Sequence, residues 1–167
     1  MYPAGVFVSI LPSICYTAEY IAKMLPDDLP VTVVCYTANT LVELYKKPLV
    51  QIIFAGGYYH HNSQMFASPE GIQLINRTCA TKAFIAAAGV CKRLGVTCVN
   101  QYEIETKHAA LGSARSKILV MDSTKFDKIR PAHFADLSDF DVMITDSRIS
   151  PEWQEYIEDM GITLLIA

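Results

Sequence analysis

The chain has 167 residues, a formal net charge of −3, and 51% hydrophobic against 19% charged residues. This balance suits one domain with a sizeable core and excludes a disordered chain. The basic residues are scattered rather than striped, which argues against nucleic-acid binding through a basic face. No apolar run approaches the roughly 20 residues a membrane helix needs, and the opening twenty lack the basic start of a signal peptide. Five cysteines without CxxC spacing suit reduced thiols better than disulfides or zinc, so a cytoplasmic protein without metal or cofactor is expected.

"GVFVSI" predicts a strand at 6–10, only a few residues after Met1, so the chain is expected to have been attached to something longer. A helix follows at 18–25, with Ile21, Met24 and Leu25 on one side. Strand 31–35 leads to a short helix at 39–45, with Pro48 beyond it, and then to strand 50–55. Ser68 followed by Pro69 predicts a capped helix at 69–77. Strand 83–87, helix 103–115 and strands 118–121 and 142–145 come next. "SPEW" opens a helix at 151–160 that stops at Gly161, and strand 162–166 ends the chain. Val/Ile-rich strands alternating with amphipathic helices define an α/β fold, a mostly parallel sheet with helices on both faces.

In such sheets ligands bind beyond the carboxyl ends of the strands, which directs attention to the loops there. In "LPSICYT" (11–17), Ser13 and Thr17 can cap the first helix or donate to a phosphate, although the loop has no glycine. In "CYTANT" (35–40), Thr37 or Asn39 is placed to cap a helix whose N-terminus also suits an anion. "AGGYYHH" (55–61) permits close backbone approach at Gly56 and Gly57, either for an anion or for a tight turn before another strand. His60 and His61, being adjacent, would face opposite ways on a strand and are not expected to share a metal. Glu103 and Lys107 are spaced as a surface ion pair, with His108 a surface histidine. "MDSTKF" (121–126) places Lys125 just past a buried strand with Asp122 to hold it. It is either a capped turn or the mouth of a ligand crevice.

Four segments go further: "VTVVCYTANTLVELYKKP" (31–48), "FAGGYYH" (54–60), "KAFIAAAGVCKRLGVTC" (82–98) and "VMDSTKFDKIRPAHFADLSDFDVMITD" (120–146). In order and spacing they resemble the C-terminal effector domain of DeoR-type transcriptional repressors, over almost the whole chain. The resemblance implies a Rossmann-like fold similar to ribose-5-phosphate isomerase and a phosphorylated sugar effector, such as deoxyribose 5-phosphate. It implies a homo-oligomer with no catalytic residues, touching DNA only through a winged helix-turn-helix domain that would precede Met1. The ligand contacts it implies are Tyr36, Thr37, Gly56, Gly57, the backbone near Gly89, Thr97, Glu103, Lys107 and Lys125, with Asp122 beside the last. Ser13, Tyr16 and Thr17 stand in the first loop, where family members read Asp-x-Gly-Thr-Thr and this chain retains only the final threonine. Two other readings compete: an isomerase-like enzyme with Glu103 shuttling a proton, and an assembly domain with a vestigial pocket.

Overall fold

The computed structural model describes the backbone of residues 6–11 and 16–167, and side chains from Glu19 onward. In chain order the elements begin β1 (Val6–Leu11), α1 (Tyr16–Met24), β2 (Val31–Cys35), α2 (Ala38–Leu44) and β3 (Val50–Phe54). A hairpin β4 (Tyr58–His60) and β5 (Met65–Ala67) leads to α3 (Pro69–Asn76) and β6 (Ala80–Ala86). Then come β7 (Gly89–Cys91), β8 (Gly95–Cys98), α4 (Tyr102–Ser113), β9 (Ala114–Val120) and β10 (Ala132–Ala135). β11 (Val142–Thr145), α5 (Pro151–Asp159) and β12 (Thr163–Ile166) complete the chain.

The seven strands expected from the sequence form one sheet in the order β12-β11-β9-β6-β1-β2-β3, and every pairing in it is parallel. β2 is buried at every position, as a strand covered on both faces must be. Val31, Val33 and Cys35 meet Ala22 of α1 and Leu44 of α2 on one face. Val34 faces the other way, into the larger core where Ile75, Ala110 and Ile157 of α3, α4 and α5 meet Ala83, Ile85, Leu119 and Met143. Helices thus cover both faces, as the strand–helix alternation requires.

Local signals set the helix ends. The Ser68 hydroxyl accepts from the Gly71 amide at 2.9 Å and the Ser150 hydroxyl from the Trp153 amide at 3.3 Å. In both helices proline takes an early position whose missing N–H costs nothing. Gly161, at φ +75°, ends α5 in the left-handed conformation that glycine adopts freely.

Two pieces lie beyond those seven strands, and only the first is foreshadowed, by the reading of Gly56 and Gly57 as a turn before another strand. One is the β4–β5 hairpin and the other a three-stranded sheet, β10-β8-β7. Their strands are three or four residues long, too short to show a period of two. Both nevertheless sit at the carboxyl ends of the parallel strands, and they form the walls of the site.

Candidate functional site

Strand order reverses at β1, which pairs with β2 on one side and β6 on the other. A crevice opens at such a point beyond the strand ends. Residues 12–15, Ser13 among them, lie outside the described residues, and nothing is described for the side chains of Tyr16 and Thr17. On the β6 side the residues beyond the strand end are Ala87, Ala88 and Gly89.

A buried polar cluster closes on the β6 exit. Lys107, on α4, donates to the Ala86 carbonyl at 2.8 Å, lies 3.4 Å from Glu103 Oε2, and sits 4.3 Å from the centre of the Phe134 ring. Glu103 Oε1 accepts from the backbone and side-chain amides of Asn100 at 3.2 and 2.8 Å. The sequence reading of a surface ion pair with Glu103 is therefore corrected: neither side chain is more than 1% exposed. The i, i+4 spacing is the one expected, but α3 and β10 pack over this face of α4 and water is excluded. His108, one residue on, is exposed as expected, and its Nε2 is 2.7 Å from the Phe134 carbonyl oxygen.

Tyr36 enters the same cluster from the end of β2. Its side chain is fully buried and its hydroxyl has no hydrogen-bond partner, nor do Glu103 Oε2 and Thr106 Oγ1. Burial above all, then the charge of Glu103, pushes the Tyr36 phenol well above the ordinary tyrosine range. The Cys98 thiol is pushed up to about 11, chiefly by burial, with the Lys107 charge opposing. Buried polar atoms are nearly always satisfied; of the four exceptions among the described residues, Glu103 and Thr106 lie on α4, Tyr36 follows β2 and Thr145 ends β11.

Thr37 is buried beside Tyr36 and occupies the N-cap position of α2, yet its side chain makes no cap bond. Its hydroxyl instead donates to Thr40 Oγ1 at 3.0 Å. Gly56 and Gly57 form the connection from β3 into β4: Gly57 has φ +137°, and a Cβ there would lie 2.4 Å from the Ala67 carbonyl oxygen at the open end of the hairpin. Gly89 approaches the 123–130 loop so closely that a Cβ would meet the Lys128 oxygen at 2.4 Å. Thr97 and Cys98 alternate on β8, so Thr97 turns away from the Glu103 cluster. Its hydroxyl donates to the Gly89 carbonyl at 3.1 Å and accepts from the Arg130 amide at 3.0 Å.

"MDSTKF" forms the outer rim. Asp122 caps a single 3-10 turn at Ser123–Lys125, accepting from the Thr124 amide at 2.9 Å and also from its hydroxyl. Lys125 Nζ lies 3.6 Å from Asp122 Oδ2, with both side chains about a third exposed. The neighbouring β11 exit anchors the turn, since Asp146 accepts from the Ser123 amide at 2.8 Å. The capped turn and the half-open lysine thus coexist in one structure. Among the described residues no group of His, Cys, Asp and Glu is arranged to hold a metal, and no helix is long and apolar enough to cross a membrane.

The strand order and the polar cluster at its reversal define a Rossmann-like α/β domain. Comparison with solved structures agrees on the fold: eIF2B beta from Chaetomium thermophilum superposes with a TM-score of 0.57 at 17% identity, over 86% of this chain and 44% of that one. The DeoR C terminal sensor domain model matches residues 10–147, and the chain belongs to that family. It is 35% identical to the deoxyribose operon repressor of Escherichia coli strain K12, over 89% of this chain and 59% of the repressor. It is 29% identical to the uncharacterized HTH-type transcriptional regulator YulB of Bacillus subtilis strain 168, over 87% of this chain and 56% of the regulator. The chain thus spans a little over half the length of these relatives, both named as regulators of transcription.

Proposed function

We propose that this chain is the effector-sensing and oligomerising part of a cytoplasmic DeoR-type repressor, that it is not an enzyme, and that its effector is a phosphorylated sugar such as deoxyribose 5-phosphate. DNA contact would belong to a separate N-terminal domain. The observation that carries the reading is the buried Tyr36 hydroxyl, which has no hydrogen-bond partner, together with Glu103, whose Oε2 faces the Lys107 ammonium at 3.4 Å without a hydrogen bond. A sugar hydroxyl accepts from the first and donates to the second. Lys125 at the rim supplies a positive charge within a half-open turn. Effector binding acts on the assembly only to the extent that it favours one arrangement over another.

Calorimetric titration with 2-deoxyribose 5-phosphate, ribose 5-phosphate and unphosphorylated deoxyribose tests this. Binding that requires the phosphate supports the sensor. Silence from all three favours an assembly domain, and turnover favours the isomerase-like reading. Light scattering at tens of micromolar tests assembly, for which exposed Tyr20 and Met24 on α1 and Val42 and Tyr45 on or beside α2 offer an apolar face.

A further inference from the structure

Beside the β10-β8-β7 sheet lies a second, open cleft of about 490 Å³, within the size range of small-molecule sites. Its floor carries little side-chain bulk. The cross-strand row His133, Thr97, Gly89 runs beside Gly95, which holds φ +68° at the head of β8. A Cβ on Gly95 would stand 2.6 Å from the Ala135 carbonyl oxygen, 2.9 Å from His133 Nε2 and 3.1 Å from Asp136 Oδ1, so a larger residue there would push on two side chains that line the cleft.

The walls are chemically uneven. Leu94, Ile129 and Pro131 give an exposed apolar side, while Arg93 and Arg130 bring two guanidiniums. Among the described residues neither arginine is paired with a carboxylate. The one acid of the cleft, Asp136, faces His133 at 3.3 Å. The cleft thus joins unneutralised positive charge to an apolar wall, and guanidinium forks match phosphate or carboxylate oxygens.

We propose that this cleft is a second small-molecule site, separate from the Glu103 cluster, for an organic anion. Its phosphate or carboxylate head lies against Arg93 and Arg130, and its apolar body rests on Leu94 and Ile129. The site is wired to the first. The Arg130 amide donates to Thr97 Oγ1 at 3.0 Å and its Nε to the Ala88 carbonyl at 3.4 Å, at the exit of β6. An anion held by Arg130 therefore bears on the strand end to which Lys107 is bonded.

The test is titration of the whole chain with phenyl phosphate, benzoate and phenol at fixed ionic strength, by calorimetry and by amide shifts in heteronuclear NMR. Either anion is expected to bind at millimolar concentration or below while phenol does not, with shifts centred on Leu94, Gly95, Thr97 and His133. The tighter of the two identifies the preferred head group. Arg93→Gln should weaken binding by at least about tenfold, the worth of one charged hydrogen bond, and Lys125→Ala should leave it unchanged. Arg93 is exposed, so its variant reports on the site even if Arg130→Gln, which loses the Ala88 contact, fails to fold. Absence of binding, binding that survives Arg93→Gln, or binding lost with Lys125→Ala would overturn the proposal. None of these outcomes depends on whether the Glu103 cluster binds a sugar phosphate.

Discussion

Glu103 with Lys107 and Asp122 with Lys125 are nearly the same chemistry at nearly the same separation along the chain. The first pair is 3.4 Å apart with both side chains out of water; the second is 3.6 Å apart and about a third exposed. In the interior the two charges must satisfy each other, because removing either leaves the other buried and uncompensated. At the rim water screens both, and the pair contributes little. The buried pair therefore fixes the position of α4 against β6, whereas the exposed one holds its lysine only loosely.

The largest expected effect comes from breaking the buried pair. Lys107→Ala should destabilise the fold by about 3–5 kcal/mol, since it strands Glu103 and releases the Ala86 carbonyl. The double change Glu103→Gln with Lys107→Met should recover much of that loss. Urea unfolding of the three proteins measures it, and a single variant within 1 kcal/mol of the parent (roughly the worth of an exposed pair) would erase the contrast.

An alkaline transition is expected next. The Cys98 thiol is held at about 11 and that of Cys35 at about 12, both chiefly through burial. These folded values lie above those of the unfolded chain, near 8.5. Their contribution to stability is thus complete below about pH 8 and is lost as pH rises through the folded values. Unfolding midpoints that stay level from pH 7 to 11 would contradict this. In the same experiment Cys79, which is exposed, should react with a thiol reagent at pH 8 while Cys35 and Cys98 do not.

Tyr36→Phe sharpens the comparison from the ligand side. The hydroxyl removed has no partner, so stability should hold or rise by about 1 kcal/mol, while effector affinity falls at least about tenfold. A variant that loses stability and keeps its affinity would mean the hydroxyl is a structural group.

The smallest stability effects belong to the rim. Asp122→Ala should cost about 1 kcal/mol through loss of the cap, and Lys125→Ala less than about 0.5 kcal/mol while abolishing sugar-phosphate binding. Denaturation paired with titration separates the two quantities, and unchanged affinity in Lys125→Ala removes that lysine from the site. Acid should loosen the same turn mildly. Asp146 is held well below the usual carboxylate range, first by its Arg148 bonds and then by the Ser123 and Arg148 amides. Its support is present above about pH 4 and lost as pH falls toward the folded value, the more weakly the higher the salt.

All seven strands of the main sheet were legible, because β-branched runs covered on both faces read as buried strands whatever surrounds them. Ser68 and Ser150 marked their helices, since a cap is a bond made within four residues. The β7, β8 and β10 strands were not legible. "GVC", "GVTC" and "AHFA" are too short for a pattern, and they exist as strands only because they pair with one another. The family resemblance named Tyr36, Glu103 and Lys107, but spacing alone suggested a surface ion pair, for the pattern of α4 does not reveal that β10 covers it. Arg93, Arg130 and His133 gave no signal, being brought to one cleft from both sides of a pairing 30 and more residues apart.

By itself, then, the sequence determined what is local or repeated: strand identity, helix ends, the alternation that makes a parallel sheet, and the Asp122 cap. Its loop residues also carried the family. Only the tertiary structure decided which charges lose their water, because burial depends on what packs above a residue rather than on its neighbours in the chain. That decision separates the Lys107 that holds α4 to β6 from the Lys125 that faces solvent.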